Sequence, residues 1–405
     1  MLLANKGFIN DVHSAASGKG MPGVRALGTT ILCESTDAEN ISKGIDEVFD
    51  EIIAALTRPL TDDEKNPKIN TITEPKIAFK GTYDQINEFY YRKGWGDGLP
   101  LVPPTQARVD EMMKGTDLAP DHVVVKIIPR MGKATIEKIA INAVMAGALP
   151  THMPVLIAAV EAVTDPGTRF DTFEVSTGSW APLLIINGPI RNDIHINCSS
   201  GMMSPGNIAN SAIGRALGLI VKNIGGARKG IEDMGTLGDP LKYSLVIGEN
   251  EEGSPWEPLH VEFGYKKAQS TVTVMFPNRY TQTIPAQTTA QGVAETLAGM
   301  NPIALSTLIV IPDHAKIFSK EGWSKERVKE FIIQGAKESN NLRPGRLKDE
   351  DFAIVVAGGP GVWMGLLASA GGFGNSFITR EIRLPKNWDG LKTKYGTMVP
   401  VYLKY

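Results

Sequence analysis

The feature that most constrains the fold is a strand–loop–helix passage within residues 173–262. Pro182 to Ile186 is an apolar run that ends at Asn187-Gly188-Pro189, the pattern of a buried strand entering a tight turn. A polar, glycine-rich segment follows, with His195, Asn197, Cys198, Ser199, Ser200, Gly201, Ser204, Pro205 and Gly206. Ile208 to Ile224 then carries apolar residues at helical spacing, with Asn207 at its start and Gly225-Gly226 as its stop. This order directs main-chain N–H groups and a helix N-terminus toward an anion. The passage is therefore the expected ligand-binding centre. Its expected contacts are Asn187, Asn197, Ser199, Ser200, Gly201, Ser204 and Gly206, with Arg228 beyond the helix.

Composition bounds the rest. The chain has 405 residues, enough for a large core and more than one structural unit. A net charge of −2 gives no electrostatic case for nucleic acid or an anionic membrane. No apolar run approaches the roughly 18 residues that span a bilayer, and the start lacks the pattern of a signal peptide. The two cysteines, Cys33 and Cys198, lie far apart, which points to reduced thiols in a cytoplasmic protein.

Taken in order, residues 1–57 read as part of an α/β unit, with a helix over 7–19, a strand over 28–33 and a helix over 40–56. Residues 58–76 are polar and proline-bearing, a linker. The region 77–405 reads as the main α/β body, with possible subdomains at about 77–265 and 266–405. Its strands are expected at 123–128, 182–186, 243–247, 271–275, 307–311, 351–357 and 376–382. Helices are expected at 82–93, 106–113, 135–146, 154–163, 208–224, 286–297 and 325–337. The fold class is α/β, layered sheets with helices on both faces and Gly-rich loops at strand ends. Three such ends, at Asn187, His314 and Gly358, are expected to converge over one pocket, with Gly359 and Gly361 lining it.

Several residue types suggest chemistry. Cys198, between a strand and a helix, is the natural nucleophile, although an isolated cysteine also fits the role of a small buried hydrophobe. His195 with His260 and His314 is a conceivable metal set without a recognised spacing. In the acidic run Glu249 to Glu262, Glu252 and Glu257 are candidate acid/base groups, stiffened by Ser254-Pro255-Trp256, and Trp256 is a further contact. Arg130 and Lys133, beyond the strand at 123–128, are placed to hold a carboxylate or phosphate, or equally to form surface salt bridges. No Walker A or complete dinucleotide fingerprint is present, so no nucleotide is implied.

The runs GDGLPLVPPT, ATIEKIAINAVMAG, APLLIINGPIR, SPGNIANSAIGRALGLI, NIGGARKG and ENEEGSPWEPLHVE, in this order, resemble the body of the UGSC-motif (seleno)protein family. The resemblance covers roughly residue 82 onward, and residues 1–57 resemble the end of the domain that carries the family's Cys/Sec-Gly-Ser-Cys motif. The motif itself is absent from this sequence. The resemblance implies thiol- or selenol-assisted redox or carbon–heteroatom bond-cleaving chemistry on a small polar, anionic substrate. A smaller partner subunit carrying the motif would complete the N-terminal unit. The alternatives are a self-contained lyase, hydratase or hydrolase, with or without a metal, and a non-catalytic scaffold subunit.

Overall fold

The computed structural model describes residues 1–67, 76–302, 305–338, 348–369 and 374–399. Part of the expected linker, at 68–75, and part of the last glycine cluster, at 371–373, lie outside the described residues. The strands are β1 (Leu2–Asn5), β2 (Ala26–Thr29), β3 (Val123–Ile127), β4 (Gly132–Thr135), β5 (Leu183–Asn187), β6 (Val246–Gly248), β7 (Thr271–Met275), β8 (Arg279–Thr283), β9 (Ser306–Val310), β10 (Phe352–Val356), β11 (Met364–Ala368) and β12 (Ile378–Glu381). β1 and β2 form a two-stranded parallel sheet, and β3 and β4 an antiparallel pair. The body is built on two four-stranded sheets, ordered β12-β7-β5-β6 and β8-β11-β9-β10.

Strand alternation decides how these sheets stack. Leu183, Ile185, Ile247 and Met275 point from the first sheet into a core shared with Ile309, Ala353, Val355 and Leu367 of the second. The opposite faces carry Leu184, Ile186, Val272 and Val274 in one sheet and Leu308, Val310, Ile354 and Leu366 in the other, each joined to a separate helical core. Helices Ile136–Met145, Met153–Val163 and Ile208–Ile220 cover the first sheet, and Ala290–Gly299, Pro312–Lys320 and Lys325–Glu338 the second. The fold is α/β, in the layer order helix, sheet, sheet, helix. Helix Met153–Val163 is apolar almost all round because it lies between neighbouring helices and the sheet, with every residue but Glu161 buried.

The two sheets share one plan. β5 is parallel to β6 and antiparallel to β7, which is antiparallel to β12; β9, β10, β11 and β8 repeat these relations in turn. A helix precedes each first strand and helices separate each parallel pair. The fourth strands are exchanged: β8, which follows β7 directly, completes the second sheet, and β12, which follows β11, completes the first. The expected subdomain boundary near 265/266 therefore does not divide the sheets, since β7 and β12 both lie beyond it in a sheet begun by β5. β8 and β11 escaped the sequence reading. The first is too polar (RYTQT) to read as a buried strand, and the second (MGLLA) lies between glycine clusters.

Residues 1–67 contrast with this body. Helix Ile9–Gly18 lies between β1 and β2, and the helix expected over 40–56 is two helices, Ala38–Asp46 and Phe49–Thr57. Only Ala16 and Val48 of its hydrophobic residues are buried, while Phe49, Ile53 and Leu56 form an uncovered stripe along the last helix. The unit docks on the body through Ser14, whose hydroxyl donates to Glu232 Oε1 at 2.5 Å, and through Gly18, which packs against Pro129 and Arg130. Acidic groups crowd this junction. Glu174 is buried with both carboxylate oxygens unpartnered, and burial, Asp233 and Glu232 push its pKa well above the ordinary value. Burial and then Glu232 likewise raise Asp11. Glu232, in contrast, overcomes its burial through Arg228 and Ser14 and stays ionised.

Two outcomes are expected. Residues 1–284 and 285–405, expressed separately, should each lack a cooperative thermal transition and regain one when co-expressed, because each sheet needs a strand from the other part. Independent cooperative unfolding of either part would exclude this interdependence. Carboxyls with raised folded pKa values support docking only while protonated, so docking should be strongest at low pH and weaken as pH rises through those values. Hydrogen-exchange protection of helix Ile9–Gly18 should fall as pH rises through the raised Glu174 pKa, above the ordinary carboxylate range, and Glu174→Gln should flatten the profile. Protection that is flat or rises with pH in the unmodified chain would contradict the assignment.

Candidate functional site

β5 ends in the core, and Asn187 is fully buried. Gly188 follows at φ 82°, and a Cβ there would come within 2.2 Å of the Gln269 carbonyl oxygen, so the turn requires glycine. A short helix, Ile190–Asp193, then places Arg191, 2% exposed, behind the strand ends.

The acidic run after β6 folds back onto these residues. Asn187 Nδ2 donates to Glu249 Oε2 at 2.6 Å and to Glu251 Oε1 at 3.1 Å, and the Gly188 N–H donates to Glu251 Oε1 at 2.7 Å. Arg191 Nη1 and Nη2 pair with Glu252 at 3.2 and 3.0 Å, while its Nε lies 3.0 Å from Glu251. Arg191 is thus occupied by two carboxylates, and hydrogen bonding from it holds Glu252 down at about 2. A general acid at neutral pH needs the opposite shift, so of the acid/base role expected from the sequence the ion pair disfavours proton donation. Glu249 is fully buried, and burial raises its pKa against Lys325, the Leu259 N–H and Asn187. Lys325 lies 3.9 Å from Glu249 and also pairs with Glu262, to which Lys329 contributes at 3.2 Å.

Cys198 sits over this cluster, half-buried beside Gly248. A Cβ at Gly248 would lie 3.1 Å from Cys198 Cβ and 3.7 Å from Arg191 Cδ. Burial raises the thiol pKa, Glu252 adds to the rise, and Arg191 opposes it. The expected net lowering is not found: a main-chain hydrogen bond at Cys198 does lower the thiol, but burial outweighs it. Helix Ile208–Ile220 begins ten residues later, and its Asn210 N–H is capped by Asn207 Oδ1 at 3.2 Å. The loop is pinned instead by the buried Asn210 side chain, which accepts from the Asn197 N–H at 2.8 Å and donates to the Asn197 and Val246 carbonyls at 3.1 and 2.9 Å. Asn210 was missed; its one signal is an amide on an otherwise apolar helix face.

Two of the three expected strand ends do meet. The Asn250 N–H donates to the Val356 carbonyl at 2.7 Å, and the Gly358 N–H to the Cys198 carbonyl at 2.9 Å. A Cβ on Gly359 would fall 1.8 Å from Ser200 Oγ, so only glycine permits this approach. Between the loops lies a crevice of about 340 Å³, lined on one side by Ser199, Ser200 and Ser204, on the other by Gly358 to Gly361, and rimmed by Tyr280 and Trp363. Asn197 shapes the loop, accepting from the Ser199 N–H at 2.9 Å, and Gly206 closes it at φ 128°.

Other expected residues lie elsewhere. Arg130 and Lys133 are exposed at the β3–β4 turn, where Arg130 packs on Gly226; neither lines the crevice. Arg228 pairs with Glu232 at the N-terminal junction. Trp256 packs against Phe318 with ring centroids 5.8 Å apart and donates to the Trp323 carbonyl at 3.4 Å, and the Glu257 side chain is exposed while its carbonyl accepts from Lys325 at 3.3 Å. The metal set is not assembled. His195 is exposed with Nε2 2.7 Å from the Gly396 carbonyl oxygen, His260 is fully buried near Glu251, and His314 is buried in helix Pro312–Lys320. Among the described residues, no group of three or more His, Cys, Asp and Glu side chains is placed to hold a metal ion. No described helix is long and apolar enough to cross a membrane.

Comparison with protein-family models, curated proteins and solved structures finds no match for this chain.

The balance at Cys198 is open to a direct check. In a Cys33→Ser background, Glu252→Gln should remove one raising influence and release Arg191, so the pH profile of iodoacetamide alkylation should move to lower pH. The rate near pH 7.5 should rise several-fold. An unchanged profile would show that the pair does not govern the thiol.

Proposed function

We propose that the chain is the substrate-holding subunit of a thiol- or selenol-assisted enzyme acting on a small polar substrate by redox or carbon–heteroatom bond-cleaving chemistry, and that a partner polypeptide supplies the reactive chalcogen. The observation that carries this reading is the uncovered N-terminal unit. Its sheet is two parallel strands, an arrangement that ordinarily needs cover on both faces. Leu2, Leu3, Leu32, Phe49, Ile53 and Leu56 are all exposed on it. A partner bearing the Cys/Sec-Gly-Ser-Cys motif, as the family resemblance implies, would cover those faces. The raised pKa of Cys198 agrees with a reactive group supplied from outside, because a protonated thiol is a poor nucleophile.

A self-contained lyase, hydratase or hydrolase is the second reading, favoured by the Arg191–Cys198–Glu252 cluster within this one chain. Gentle native purification followed by intact-mass analysis separates the two. A stoichiometric smaller chain with the motif, needed for turnover, is the expected result. A catalytically competent homo-oligomer would overturn the shared site and favour the second reading.

A further inference from the structure

The crevice between the Ser199–Ser204 and Gly358–Gly361 loops carries solvent-exposed serines and main-chain donors that no other described residue takes up. The Ser199, Ser200 and Ser204 hydroxyls make no hydrogen bond to another described residue, nor do the main-chain N–H groups of Ser200, Gly201, Gly359 and Gly361. No aspartate, glutamate, lysine, arginine or histidine is among the described residues lining it. Arg191, which lies beside Cys198, is already committed to Glu251 and Glu252. The floor is apolar, formed by Ile309, Ile311 and Met364. Residues with free hydroxyls and main-chain N–H groups line one cavity with no carboxylate to repel a negative charge, which suits a ligand whose recognised group only accepts hydrogen bonds.

We infer that the crevice binds the oxyanion of a small metabolite, a carboxylate or a phosphate, through neutral donors of both loops rather than through arginine or lysine. This rests on the reading of the crevice as the substrate site and replaces the contact set of Arg130 and Lys133. The donors exchange water for ligand oxygens, and the apolar floor takes the carbon skeleton. A volume of about 340 Å³ admits a molecule of few carbons and excludes a dinucleotide. Gly359 is the specificity device, since any side chain there would occupy the position of Ser200 Oγ.

Calorimetric titration of the full chain with inorganic phosphate, with succinate and with glycerol tests this. One of the two anions should bind saturably in the millimolar range or tighter, which identifies the group as phosphate or carboxylate, and glycerol should not. Ser200→Ala should weaken binding about tenfold, the worth of one hydrogen bond to a charged acceptor. Gly359→Ala should abolish it, with thermal unfolding confirming that both variants are folded. Affinity should change little between about 50 and 500 mM salt, unlike a site built on exposed cations. Failure of both anions to bind, glycerol binding as tightly, or affinity unchanged in both variants would overturn the inference. A motif-bearing partner found by native mass analysis would stand through any of these results, so the two failures are distinguishable.

Discussion

The contact between the inner faces of the two four-stranded sheets is the constraint on which the rest depends. β5, β7, β9, β10 and β11 are buried along their whole length, because one side of each faces helices and the other faces the opposing sheet. Such a stack has no room for charged groups along these strands, so they collect at strand ends. There the packing still excludes water, and every carboxylate must find donors. Glu249 shows the consequence. It is fully buried where the two sheets meet and is tolerated because Asn187, the Leu259 N–H and Lys325 surround it. Removing one partner of such a set leaves a buried charge uncompensated, which typically costs about 3–5 kcal/mol.

The exchange of β8 and β12 makes the halves interdependent and creates two crevices of equivalent topology. In each, the segment after the first strand of one half meets the segment after the second strand of the other. Cys198 and Ser200 meet Gly358 and Gly359 in one; Trp323 and Lys325 meet Trp256 and Glu249 in the other. The first is open because its facing residues are serine and glycine. The second is filled by indole rings and a buried ion-pair network. This difference in side-chain volume and charge, on one backbone plan, is why the ligand site is argued for one crevice alone.

Much of the site was legible, but its roles were not. The loop from Asn197 to Gly206 and the cluster at Gly358 were marked by glycine and serine between apolar runs, and the structure brings them together. Arg191 was passed over because one arginine after a turn has no pattern. Only the fold shows it buried between Glu251 and Glu252. Trp256 and Glu257 looked functional in a stiff proline-bracketed segment, whereas that stiffness serves to plug the second crevice. Arg130, Lys133 and Arg228 read as anion-binding cations because sequence gives charge without direction.

The sequence by itself determined the α/β class and most of the helices and strands of the body, because apolar periodicity and glycine or proline stops are local signals. It also marked the N-terminal 57 residues as part of an α/β unit set apart from the body. Tertiary structure alone decided the sheet pairing, the strand exchange and the fate of each ionisable group. Those depend on which segments meet across long separations in the chain, as Cys198 meets Gly358 and Glu249 meets Lys325. A pKa or an open crevice is set by burial and neighbours, and neither is written in the spacing of residues along the chain.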